Sequence, residues 1–287
     1  MSAIDPQLSI DGVELAVADL PRSTDFYERV LGLPLRSFDD EAAELGPDSA
    51  RPALTLRRLA QAQPAPAQST GLFHVAWLHP SRAALAETVR RLVGAGWQLD
   101  GAADHGVSEA LYLSDPDGLG IEIYADRPRE QWQRPPDGHG VRMVTLALDI
   151  DDLLAQFEQS PGAAIAAGTG IGHVHMKVAD VERANAFYRD ALGFEEQASM
   201  PAAAFLSAGG YHHHVGLNSW QSRGGRPTPA TAPGLRRVDF ALSDAAALDQ
   251  LERRLADGTR AGGAERGDDG SVLARDPDAQ SLRFTAR

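Results

Sequence analysis

VELAVADLPRSTDFYERVLGL, residues 13–33, returns as VHMKVADVERANAFYRDALGF at residues 174–194. Each copy runs from an alternating strand through Val-Ala-Asp into a helix carrying Phe-Tyr, and ends at Leu-Gly. A shared order over about twenty residues marks an internal duplication. Asp19 and Asp180 stand where a side chain would cap the helix, and Gly32 and Gly193 where a left-handed residue would end it. Two weaker copies fill the intervals. FHVAWLHPSRAALAETVRRLVGAGW starts at Phe73 and RVDFALSDAAALDQLERRLADG at Arg237. Leu85, Val89 and Leu92 share one helical face in the first, and Leu248, Leu251 and Leu255 in the second. Both lead to an Asp-Pro-Asp turn and a last strand, DPDGLGIEIYA from Asp115 and DPDAQSLRFTAR from Asp276. The pattern predicts an α+β fold of four tandem βαβββ units, beginning near residues 11, 72, 171 and 235. Two units fill an N-terminal domain, 1–130, and two a C-terminal domain, 169–287; the connector 131–168 holds a short strand and a helix.

Composition narrows the function. The formal charge of −13 argues against a nucleic-acid or anionic-membrane partner. The absence of cysteine excludes disulfides, thiolate catalysis and Cys-based zinc or iron–sulfur sites. No apolar stretch approaches membrane-spanning length, and MSAIDPQLSIDG lacks the regions of a signal peptide. The expectation is a cytoplasmic protein without membrane contact, with a homo-oligomer left open. Any metal must use His, Asp or Glu, ligands that suit Fe(II), Mn(II), Zn(II) or Ni(II).

Candidate residues collect in the middle of the chain. HGVSEALYLSDPDGLGIE, residues 105–122, places His105, Tyr112 and Glu122 in one short β-rich segment, where a tight Asp-Pro-Asp-Gly turn joins the strand of Tyr112 to that of Glu122. Strand alternation puts Val174, Met176 and Val178 toward the helices, and therefore His173, His175 and Lys177 on the opposite face. His74 alternates with Phe73 and Val75, and Glu122 with Ile121 and Ile123. A third group, FLSAGGYHHHVGLNSW from Phe205, carries His212, His213 and His214; His213 faces away from its two neighbours, and a one-residue slip would exchange them.

Four such units in tandem resemble the vicinal oxygen chelate superfamily, which groups glyoxalases, bleomycin resistance proteins and extradiol dioxygenases, and the resemblance covers nearly the whole chain. It implies two cup-shaped, strongly curved mixed sheets, each formed by paired units around a place for a divalent metal. The superfamily's ligand positions are the first-strand His and last-strand Glu of each unit. Carried over, they fall on Gly12 in the first unit, His74 and Glu122 in the second, His173 in the third, and Arg237 and Arg283 in the fourth. Pairing the second unit with the third gives His74, His173 and Glu122, a two-His, one-carboxylate set suited to non-haem Fe(II). The first and fourth units would form a metal-free cup, because a guanidinium cannot bind a cation.

The segment from His105 to Glu122 further resembles the extradiol dioxygenase signature, with Ala103 as its one departure, and the chain resembles bacterial catechol 2,3-dioxygenase-like proteins. The resemblance implies cleavage of a catecholic ring with O2 at Fe(II), with Mn(II) as the alternative. His213 would act as acid–base, Tyr112 would hydrogen-bond the catechol, and His105 would orient Tyr112. His175, His212 and His214 would stand behind them. Two alternatives share the fold: a glyoxalase-type lyase or isomerase using Zn(II) or Ni(II), and a metal-free small-molecule binder.

Overall fold

The computed structural model describes residues 3–47, 53–136, 138–157, 159–257 and 262–287. Strand β1 (Ser9–Val17) leads into α1 (Leu20–Asp25), followed by β2 (Leu35–Phe38), β3 (Ala42–Leu45) and β4 (Leu54–Arg58). Next come β5 (Gly71–His79), α2 (Arg82–Gly94), β6 (Gly101–Asp104), β7 (Ser108–Ser114) and β8 (Gly120–Asp126). After the connector helix α3 (Ile150–Leu154) the chain forms β9 (Gly170–Lys177), α4 (Val181–Ala186), β10 (Glu195–Met200), β11 (Ala203–Ser207) and β12 (Val215–Asn218). It ends with β13 (Gly234–Leu242), α5 (Ala245–Asp257), β14 (Gly262–Arg266), β15 (Val272–Arg275) and β16 (Ser281–Ala286). The architecture is mixed α+β, rich in strands, with an open sheet.

The caps form as the sequence dictates. The Asp19 side chain accepts from Arg22 N, that of Asp180 from Arg183 N, and Gly193 ends its helix in the left-handed region at φ 91°. Both Phe-Tyr copies depart from a plain helix: α1 runs into a π-helical turn at Phe26–Val30 and α4 into one at Phe187–Leu192. The wider turn carries both aromatic rings of each pair inward, where Phe26, Tyr27, Phe187 and Tyr188 are buried.

Strand pairing decides which parts of the chain meet. One run of the sheet is β6-β7-β8-β5-β9-β12-β11-β10, and the other is β14-β15-β16-β13-β1-β4-β3-β2. At the centre of the first, β5 pairs antiparallel with β9, and at the centre of the second, β1 pairs with β13. The runs join through the pair Ile10↔Ile171. Contacts between helices and turns tie different partners together. Tyr27 donates to Asp115 Oδ2 (3.1 Å) and Ala18 N to Asp117 Oδ2 (2.7 Å), while Arg22 pairs with Asp117. In the other half Tyr188 donates to Asp276 Oδ2 (3.2 Å), Ala179 N to Asp278 Oδ1 (3.1 Å), and Arg183 pairs with Asp278 at 3.4 Å. The two motifs that repeat in the sequence, Val-Ala-Asp with its Phe-Tyr helix and the Asp-Pro-Asp turn, therefore bind each other.

The connector differs from its expected form. Its helix is present as α3, but the short strand is reduced to one bridge, Asp104↔Leu146. The physical reason is its direction: it crosses from one sheet edge to another instead of running along either. Val141 N donates to Gln197 O on β10 (3.1 Å), and Leu146 exchanges backbone hydrogen bonds with Asp104 on β6 (2.9 and 3.0 Å).

Candidate metal centre

β5 and β9 bring the histidines together. Across their ladder His74 lies opposite His175 and Ala76 opposite His173, while β8 runs parallel beside β5 with Glu122 level with Ala76. A bulge between Leu72 and His74 breaks the alternation expected there. Leu72 and Val75 enter the core, whereas Phe73 and His74 both line the cavity. A second bulge, at Gly172, makes room for Tyr124, since a Cβ there would lie 1.7 Å from its hydroxyl.

His74 Nε2 and His173 Nε2 approach the same oxygen, Glu122 Oε2, at 2.9 and 3.2 Å. The three ligand atoms lie within 4.8 Å of one another and all three residues are buried. The His74 contact is close but is not a hydrogen bond: Nε2 is buried with no partner in hydrogen-bonding geometry. His173 Nε2 is in hydrogen-bonding geometry with Glu122, and two imidazole nitrogens converging on one carboxylate, one of them buried without a hydrogen-bond partner, fit a cation. Neighbouring ligand atoms bonded at about 2.1 Å and set at right angles stand about 3 Å apart, as do each of the two nitrogens and Glu122 Oε2. The protonation states agree. Burial would raise the Glu122 carboxyl, but His173 and His74 beside it outweigh that effect and hold it well below the ordinary carboxylate range. Burial pushes His173 down to about 4 against the pull of Glu122. An ionised carboxylate and a neutral imidazole are the forms that ligate metals.

Two hydrogen-bonded chains end at the same cavity. His105 Nδ1 donates to the Val144 carbonyl (2.7 Å), which leaves Nε2 to accept from the Tyr112 hydroxyl (2.7 Å). The phenol proton thus points at His105, and the oxygen lone pairs of Tyr112 face the cavity. Burial raises the Tyr112 phenol, as does the charge of Glu122, so it stays protonated. On the far side the Asp126 carboxylate accepts from His212 Nε2 (2.9 Å), and with that proton on Nε2 the His212 Nδ1 accepts from His213 Nδ1 (2.8 Å). His213 is left with a free Nε2 lone pair, its ring 4.0 Å from that of His173 between centroids. Burial holds the His213 imidazole well below its ordinary value, so it stays neutral.

The remaining histidines divide. His175 accepts at Nε2 from the Asn218 amide (3.0 Å) and packs against His74 at 4.9 Å. His214 accepts from Ala208 N (3.1 Å), away from the cluster. His212, His213 and His214 precede β12 instead of lying in it, so strand alternation does not govern which way they point. Lys177 lines a neighbouring cavity together with His74. Tyr124, Asp126, Tyr211 and Asn218 were not singled out from the sequence. Tyr124 and Asp126 follow Glu122 at two-residue steps on β8, a period that would have found them. Tyr211 and Asn218 carry no comparable signal.

Among the described residues the corresponding face of β13 and β16 holds no ligand set. Arg237 pairs with Asp239 (2.6 Å) and Glu14 (3.3 Å), and Arg283 with Asp239 at 3.8 Å. These ion pairs occupy the positions that His74 and Glu122 hold in the other half.

The Glyoxalase/Bleomycin resistance protein/Dioxygenase superfamily model matches residues 9–123 and 170–282. Catechol-2,3-dioxygenase of Bacillus subtilis (strain 168) is 43% identical over 259 residues, which are 89% of this chain and 90% of the relative. A solved structure from Bacillus subtilis subsp. subtilis str. 168 matches with a TM-score of 0.68 at 17% identity, covering 100% of this chain and 86% of the other. Glyoxalase I from Zea mays matches at 0.55 and 18%, covering 97% and 92%. Among the described residues no helix is long and apolar enough to cross a membrane. The chain belongs to the Glyoxalase/Bleomycin resistance protein/Dioxygenase superfamily.

Proposed function

We propose that the chain is a metal-dependent extradiol dioxygenase that opens a catecholic ring with O2. The observation that carries this reading is the convergence of His74, Glu122 and His173 beside a cavity that His74, Glu122, Tyr112 and His213 line, in a chain 43% identical to a catechol-2,3-dioxygenase. His74, Glu122 and His173 would hold the metal, and their donor set favours Fe(II), with Mn(II) as the alternative. When bound, the metal brings catechol oxygens and O2 together and lets electrons pass between them.

The chain's own groups handle the protons. Nε2 of His213 takes a proton from a catechol hydroxyl and returns it as the ring opens, so the acid–base cycle closes on one imidazole. Asp126 and His212 keep that nitrogen unprotonated until then by fixing the tautomer. Tyr112, its own proton committed to His105, accepts a hydrogen bond from the second hydroxyl. Catechol plus O2 gives the ring-opened acid with both oxygen atoms retained and no external reductant consumed. A glyoxalase reading fits less well, because the metal-ligand cluster among the described residues has one carboxylate.

The architecture supports a finer reading as well: four βαβββ units, with the second and third sharing the metal-bearing cup and the first and fourth a second, metal-free cup. The domains would be 1–130 and 169–287, joined by the connector 131–168. Anaerobic loading with Fe(II) followed by aerobic catechol tests the function. One bound metal and a yellow ring-opened product are expected. Less than about half an equivalent of metal, or turnover of a hemithioacetal with no catechol cleaved, would refute it. In His173→Ala, metal and activity should be lost together, whereas His213→Ala should keep the metal and lose turnover by about 10²–10⁴-fold.

A further inference from the structure

The cavity above the ligand cluster has a volume of about 550 Å³, whereas a benzene ring is held in a cavity of about 150 Å³. A single catechol would leave most of that space unfilled. The surplus is apolar: Phe73, Phe205, Met143, Met200 and Trp220 line it, and no Lys or Arg is among the described residues that do. Among the described residues Glu122 is the one carboxylate on its wall.

Part of that wall comes from outside the sheet. The connector segment 141–146 crosses the open mouth between the edge strands β6 and β10, bonded to Asp104 at one end and to Gln197 at the other. Midway, Val144 is fixed twice to His105: its N donates to the His105 carbonyl (3.1 Å), and its carbonyl accepts from His105 Nδ1 (2.7 Å). Met143, Val144 and Thr145 therefore stand at a set distance from Tyr112 and line the cavity. The other run of the sheet, with edges at β14 and β2, has no such crossing among the described residues.

We propose that segment 141–146 is the specificity element of this site, and that it selects an uncharged catechol carrying an apolar ring substituent about the size of a second ring. The proposal rests on the ring-cleavage reading above. A carboxylated catechol would place a second negative charge in a wall that offers no cation to pair it, close to Glu122, and an unpaired charge taken out of water is strongly disfavoured. An apolar substituent gains instead from the surface it buries.

The test uses the full-length Fe(II)-loaded protein with catechol, 3- and 4-phenylcatechol, and the 3- and 4-carboxymethyl catechols. Binding is read without oxygen by calorimetry and cleavage with oxygen as kcat/KM. The phenyl compounds should bind and react at least about tenfold better than the carboxymethyl compounds. Thr145→Lys, at an exposed position of the segment, should narrow that ratio about tenfold by supplying a cation, and Met143→Ala should lower the preference for phenylcatechol over catechol. Bound metal reports that each variant is folded. Carboxymethyl compounds handled as well as phenyl compounds, or a ratio unmoved by both variants, would overturn this proposal and leave the dioxygenase reading standing. Failure of all five compounds to bind or react would overturn that reading and this proposal with it.

Discussion

Asp126 sits two hydrogen bonds away from the proposed base His213, through His212. A carboxylate that fixes the tautomer of a base through a second imidazole is a positioning group, and loss of such support typically costs 10–100-fold. Asp126→Asn, which can reverse the direction of the chain, should lower turnover by about that factor while bound metal stays at the wild-type level. Metal analysis beside steady-state kinetics separates the two effects. His79 is buried away from the site, its Nδ1 on the Trp77 carbonyl (3.1 Å) and its Nε2 on Thr88 (2.9 Å). Burial pushes its pKa down to about 4 from 6.5. The folded state then binds the proton less tightly than the unfolded chain, so this contribution to stability is full above pH 6.5 and is lost as pH falls toward 4. The size is up to about 3 kcal/mol. Denaturant midpoints between pH 7 and 4.5 should therefore fall more steeply for the wild type than for His79→Leu.

Among the elements, the contacts that join helices to turns make a sharp prediction. Tyr27 and Tyr188 each give a buried hydroxyl to a buried aspartate, Asp115 and Asp276. Burial raises both carboxyls to about 6, the neighbouring Asp117 and Asp278 adding to the effect against several backbone donors. Tyr27→Phe and Tyr188→Phe should each cost about 1–2 kcal/mol, read from denaturant unfolding, and the double variant should show their sum because the two sites share no partner. The repeats, the caps and the helical faces were legible in the sequence, since each is set by residues within one turn or one strand. The bulges at Phe73 and Gly172 were not, because they arise from fitting β5 to β9. Both move site residues: one turns Phe73 toward the cavity, and the other admits Tyr124 behind His173.

At the scale of the molecule, the sheet joins β5 to β9 and β1 to β13, while the helix-to-turn contacts join α1 to the turn before β8 and α4 to the turn before β16. The two sets of contacts cross, so neither half of the chain holds a complete run of the sheet. Fragment 1–130 has Glu122 and His74 but lacks His173, and it leaves β1 and β5 without their antiparallel partners. Expressed alone, it should bind no stoichiometric metal and should aggregate through those exposed edges. Co-expression with 131–287 should restore one metal per pair of fragments, measured after size-exclusion chromatography. Metal binding by 1–130 alone would contradict the ligand set.

By itself the sequence determined the repeat, the α+β class, the buried faces of the helices and the residue types able to hold a metal. These depend on periodicity, capping and side-chain chemistry, which are local. His74, Glu122 and His173 were nameable from strand position and resemblance, but their meeting at one point depends on which strands pair across the sheet. That choice, the course of the connector over the cavity, and the direction of three histidines lying outside any strand are non-local. Each is decided by packing between segments far apart in the chain, and only the tertiary structure supplies it.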